Sequence, residues 1–220
     1  MSYFSHADLG GQTGHGAVQA EPEGELFHAA WEPRALALTL AMGATGSWNI
    51  DISRSARETL PDYATLSYYA IWIQALEVLM RQRGLLQADE LEQARALYAA
   101  PAVARTLRAA DVAGVLARGA PTQRAATLAP RFAIGDAVRM RRDAAPHHTR
   151  LPGYVRGRRG TIEASHGAHV FADSHAQGLG EQPAWLYTVV FDGGELWGDE
   201  PGARRLAVSV DAWDPYLEPA

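Results

Sequence analysis

Eight histidines and no cysteine bound the chemistry this chain can do by itself. Without a thiol there is no disulfide, no cysteine nucleophile, no thiolate zinc site and no iron–sulfur cluster. The histidines are poorly spaced for a metal. There is no His-Glu-x-x-His run, and His147 and His148 are adjacent, so they cannot share one helix face. His166 and His169 flank Gly167 in a segment that reads as a turn or strand, where surface or hydrogen-bonding roles suit them better than ligation. Soft-metal chemistry would have to come from another chain. Two other groups carry chemical interest. Arg54 stands in the polar stretch Asp51-Ile52-Ser53-Arg54-Ser55-Ala56-Arg57-Glu58. Tyr68 and Trp72 are i and i+4, so on a helix both can face one direction, and the plain reading of such a pair is helix core.

The elements that must position these residues change character along the chain. Residues 1–28 are Gly-rich and poor in large apolar side chains, which predicts no packed element but either a loose terminus or an extended arm that orders on a partner. Residues 29–118 read as a helical domain. Leu66, Tyr69, Ile73, Leu76 and Met80 recur at steps of three and four, one helix face, opened by Pro61-Asp62 and closed by Arg81, Arg83 and Gly84. Further helices are predicted over Trp31 to Met42, within Trp48 to Leu60, over Asp89 to Tyr98 and over Val103 to Leu116. Residues 119–131 read as a linker. Residues 132–220 then alternate in short strands at 132–140, 160–163, 168–171, 185–191 and 206–210, which predicts a small SH3-like β barrel or roll. The fold class expected is therefore α+β.

Composition narrows the function classes. The chain has 220 residues, 47% hydrophobic and 20% charged, enough for a sizeable core. A net charge of -5 argues against nucleic acid and anionic membrane as partners. No apolar run reaches membrane-spanning length, and the first residues lack a basic-then-apolar secretory pattern, so a cytoplasmic location is expected.

The specific signal is an ordered set of short motifs. In the C-terminal half these are His148-Thr149-Arg150-Leu151-Pro152-Gly153-Tyr154-Val155-Arg156-Gly157, Gly160-Thr161-Ile162, His166 to Asp173, Leu186-Tyr187-Thr188-Val189, Glu195-Leu196-Trp197-Gly198 and Asp211 to Glu218. In the N-terminal half they are Asp8-Leu9-Gly10-Gly11, Trp31-Glu32 and Ser67-Tyr68-Tyr69-Ala70-Ile71-Trp72-Ile73. Each piece alone is weak. Their succession over nearly the whole chain resembles the β subunit of nitrile hydratase, with residues 85–130 similar in helical character more than in motif.

The resemblance implies an enzyme that hydrates nitriles to amides as an αβ or α2β2 heteromer. It places a non-corrin cobalt(III) or non-haem iron(III) on the partner α subunit, in a claw of cysteines and backbone amides with two cysteines oxidised. This chain would bind no cofactor alone. It would supply two arginines to the oxidised sulfur oxygens, by position Arg54 and Arg156, and would shape the pocket for a small nitrile with Tyr68 and Trp72. A guanidinium suits that task, because it stays charged when desolvated and presents paired donors in a fixed fork. Ser53 departs from the family pattern, where the residue before the first arginine is larger and apolar. The smaller side chain would widen the pocket or let Trp48 fill the space. His148 would support Arg156 through hydrogen bonds or serve as a plain loop histidine. A thiocyanate hydrolase-type subunit is the related alternative, although there the β-like region is divided between two chains. A non-enzymatic assembly or binding module is the other, although activators of that kind resemble only the N-terminal half.

Overall fold

A computed structural model describes residues 3–220; Met1 and Ser2, the first residues of the expected arm, lie outside the described residues. The described residues divide into two compact units, one comprising residues 4–119 and the other Tyr3 with residues 120–220.

The first unit is helical. Helix α1 spans Glu32–Gly43 with Pro33 in its first turn, where a missing N–H does no harm. Helix α2 spans Ile50–Glu58, and the Asn49 side chain caps it by accepting from the amides of Asp51 and Ile52. Helix α3 spans Tyr68–Gln82. It begins later than its apolar stripe predicts, because Asp62 to Leu66 form a separate turn and Ser67 is extended. It ends as expected: Gly84 takes φ +65, and the amides of Gly84 and Leu85 return to the carbonyls of Arg81 and Met80. Ala75, Leu76 and Leu79 bury the inner face of α3 against Trp48, Ala56 and Leu60.

The two later helices are shorter than their patterns predict. Helix α4 covers only Ala88–Glu92. Ala94 at φ 51 turns the chain out of the helix, and the Glu90 carboxylate accepts the amides of Gln87 and Leu97 instead of letting the helix run on. Residues 103–108 are irregular, and helix α5 forms at Val112–Arg118, closed by Gly119 at φ 58. None of the residues of α4 or α5 is buried, so no packed face extends either helix.

The second unit is built on an antiparallel open sheet. Its strands are β1 Gln123–Arg124, β2 Ala137–Met140, β3 Arg159–His169, β4 Ala184–Asp192, β5 Ala207–Trp213 and β6 Leu217–Pro219. The order is β5-β4-β3-β2-β6, with β1 paired to the end of β3. The two strands predicted at 160–163 and 168–171 are one strand, which keeps its pairing with β4 through register shifts between Ile162 and Ala164 and between Ser165 and Gly167. Gly160 sits where a Cβ would lie 2.6 Å from Val189 Cγ1, so only glycine lets β3 approach β4 there. Tyr187, Val189 and Phe191 alternate inward along β4 and meet Val138, Met140, Val155, Ile162 and Leu217 in the core. Short helices α6 (Ala172–Ala176) and α7 (Gly193–Trp197) fill turns that the sequence pattern does not predict as helical. No helix among the described residues is long and apolar enough to cross a membrane.

Candidate functional site

Arg54 lies on α2 and is tethered from within its own helix. Its Nη1 donates to Asp51 Oδ1 at 2.8 Å, and Asp51 is 3% exposed whereas the Arg54 side chain is 42% exposed. The buried carboxylate fixes the root of the guanidinium and leaves its outer donors accessible. The Asn49 cap fixes the first turn of α2, from which Asp51 reaches Arg54 three residues on.

The aromatic pair sits at the start of α3. Tyr68 and Trp72 rings lie 5.3 Å apart, Tyr69 joins them at 5.1 and 5.9 Å, and Phe27 lies 5.4 Å from Tyr69. Tyr68 is 63% exposed despite its size. This is an aromatic face left uncovered by the unit's own core. Trp48 and Ser53 take another position: both are buried, Trp48 within the helical core. One further residue belongs to this face and escapes sequence reading. The Arg57 guanidinium lies 4.3 Å over the Trp72 ring. Burial holds its pKa below the usual arginine value, and the neighbouring Arg54 pushes in the same direction.

Arg156 belongs to the other unit and is positioned by a different device. It follows a single 3-10 turn, Gly153–Val155, whose Val155 is fully buried in the sheet core. Its Nη2 donates to the Leu151 carbonyl at 3.1 Å. Gly157 comes next at φ +72, and a Cβ there would lie 2.9 Å from Arg142 Cγ. The Gly157 amide donates to Met140 at the end of β2, which fixes the height of the turn. Arg158 and Arg159, by contrast, are exposed.

His148 lies in the same loop and is 2% exposed, with Nδ1 at 3.3 Å from the Tyr3 hydroxyl. The loop is knotted to the sheet by Tyr216. The Tyr216 hydroxyl accepts from the Arg150 amide at 3.0 Å and from Thr149 Oγ1 at 3.2 Å, and it donates to the Asp173 carboxylate. Burial pushes the Asp173 carboxyl above the usual range and the Tyr216 hydroxyl far above its own. The hydrogen bonds from Tyr216 and Thr149 to the Asp173 carboxyl oppose the rise that burial causes, so the knot supplies partners that a lone buried carboxyl would lack. A cavity of about 260 Å³ beside this knot is lined by His147, Thr149, Leu151, Asp173 and Tyr216 among others. Among the described residues no group of three His, Cys, Asp or Glu side chains could hold a metal ion.

Arg54, Tyr68 and Trp72 thus gather in the helical unit, and Arg156 and His148 gather in the sheet unit. Comparison with known proteins gives the class to which an α+β chain of this make-up belongs. The family described as "Nitrile hydratase beta subunit, N-terminal" matches residues 4–122, and "Nitrile hydratase beta subunit, C-terminal" matches residues 121–219. The "Low-molecular weight cobalt-containing nitrile hydratase subunit beta" of Rhodococcus rhodochrous is 39% identical over 97% of this chain and 98% of its own. A nitrile hydratase subunit beta from a Rhodococcus species is 37% identical over 96% of this chain and 93% of its own. The "Cobalt-containing nitrile hydratase subunit beta" of Pseudonocardia thermophila is 33% identical over 96% and 94%. Among solved structures, the thiocyanate hydrolase recombinant apo-enzyme from Thiobacillus thioparus aligns at 30% identity over 41% of this chain and 76% of its own, with a TM-score of 0.39. The chain belongs to the nitrile hydratase β-subunit family, the subunits of a heteromeric enzyme.

Proposed function

We propose that this chain is the subunit of a nitrile hydratase that closes and charges the pocket, while an α subunit holds the metal. Two of the relatives are described as cobalt-containing, so cobalt is the metal this reading favours over iron. The chain has no cysteine to make a thiolate claw. When bound by the partner, the metal supplies Lewis-acid activation of the nitrile or of water. Arg54 and Arg156 donate to the oxygens of oxidised cysteine ligands and hold that negative charge in place. Tyr68 and Trp72 form an apolar wall for the nitrile, with Trp48 and Ser53 behind it, and His148 steadies the Arg156 loop. Residues 1–28 wrap the partner, the helical domain covers 29–118, the linker 119–131 and the sheet domain 132–220. That sheet is read as an SH3-like roll; the strand order, and the 3-10 turn Asp214–Tyr216 that leads β6 back beside β2, support the reading.

The observation that carries the proposal is the Arg54–Asp51 tether next to an uncovered aromatic face. A solvated surface arginine has no need of a carboxylate that is itself buried. The test is co-expression with an α chain bearing a Cys-x-x-Cys-Ser-Cys claw in cobalt medium, followed by an assay for amide release from nitriles. A co-purifying complex that hydrates nitriles is expected. A stable complex with cobalt bound and no hydration of any nitrile would contradict the proposal.

A further inference from the structure

In the helical unit, Arg54 and Arg81 each lie within ion-pair distance of a carboxylate. Arg57 has no such partner among the described residues; Glu58 acts on it only weakly, as the least of the influences that raise its pKa. It is nevertheless half-buried, with its face laid on Trp72. Stacking uses the flat face of a guanidinium and leaves its N–H edge free to donate in plane. A half-desolvated cation with an unused fork of donors, set on an aromatic surface, is complementary to a planar aromatic anion.

Position adds the second constraint. Arg57 is three residues beyond Arg54, about 4.5 Å of helical rise, so both guanidinium groups lie on neighbouring turns of one face. Tyr68 and Trp72 lie beside Arg57 rather than on the far side of the helix pair. A single small aromatic molecule can therefore lie along the Tyr68–Trp72 face with one end at Arg54 and a charged end at Arg57.

We propose that Arg57 is a specificity-determining residue that selects aromatic nitriles carrying a carboxylate, by donating to that carboxylate from its N–H edge beside Trp72. The inference rests on the nitrile hydratase reading above and adds the substrate class. An anionic side chain of the partner subunit is the rival occupant of the same donors.

The test uses the assembled cobalt complex and two nearly isosteric probes, 4-cyanobenzoate and 4-cyanobenzamide, which differ in charge. The readout is the ratio of their kcat/KM values, compared between wild type and Arg57→Met. The ratio is expected to fall at least about tenfold in Arg57→Met, the size of one charge-assisted hydrogen bond, and to be partly restored in Arg57→Lys. A ratio unchanged within twofold overturns the proposal. Equal losses on both probes, with weakened assembly, overturn it in favour of a partner carboxylate. A wild-type complex that hydrates acrylonitrile but neither probe overturns the proposal while sparing the nitrile hydratase reading, and one that hydrates no nitrile removes the reading itself.

Discussion

Arg54 and Arg156 reach their positions by opposite routes. Arg54 is held by a charge three residues away, Arg156 by a backbone carbonyl in a loop that Tyr216 secures. The Tyr216 hydroxyl is the most connected of these groups, and its loss has a definite cost. Tyr216→Phe leaves the Arg150 amide and the Asp173 carboxyl short of a partner in a buried place. It is expected to destabilise the protein by about 1–3 kcal/mol, read from the urea midpoint. An unchanged midpoint would show that the knot carries no stability. Asp173 gives the pH dependence. In the unfolded chain an aspartate releases its proton near about pH 4, whereas burial makes folded Asp173 hold it to higher pH. Its contribution to stability is therefore full below the unfolded range and is lost as pH rises through the raised folded value. The unfolding free energy of the wild type minus that of Asp173→Asn is expected to fall as pH is raised from about 4 and then level off. A difference that climbs with pH contradicts this. That Tyr68 and Trp72 are neighbours was legible from spacing, because i and i+4 on a helix share a face; their expected place in a pocket came only from the family resemblance. Arg57 over Trp72, and Tyr216 against Asp173 43 positions away, were not legible, because they are contacts between elements.

At the scale of elements, legibility followed burial. Helices α1, α2 and α3 each have a buried face, and they form within a few residues of their predicted bounds, α3 excepted at its start. Helices α4 and α5 lack a buried face and are cut short. Strands β4 and β5 carry their alternation openly, whereas β1 and β6 are two and three residues long, too short to show a period. The break expected within β3 is absent because pairing with β4 tolerates an irregular register that the sequence reads as a turn. Gly157 shows how an element can depend on one backbone angle. Its φ of +72 closes the turn that carries Arg156, and Gly157→Ala places a methyl against Arg142 as well as straining that angle. The variant is expected to lose about 1–2 kcal/mol of stability, measured by thermal unfolding. A melting temperature equal to the wild type would mean the turn is not fixed by this residue.

For the whole molecule, the absence of cysteine changes meaning once the sites are in view. A chain with no thiolate, and no cluster of metal ligands among its described residues, still presents guanidinium groups held by buried partners and an aromatic cluster whose Tyr68 is exposed. Under the proposed function, the partner would bring the metal and this chain would bring fixed positive charge and an apolar wall. The most direct test is the nitrile hydration rate of the assembled complex carrying Arg54→Lys or Arg156→Lys, with assembly and metal content measured on the same samples. Each variant is expected to assemble with its metal and to lose about 100-fold in kcat, because a lysine ammonium cannot reproduce the paired donors. Normal turnover in both variants would contradict the account.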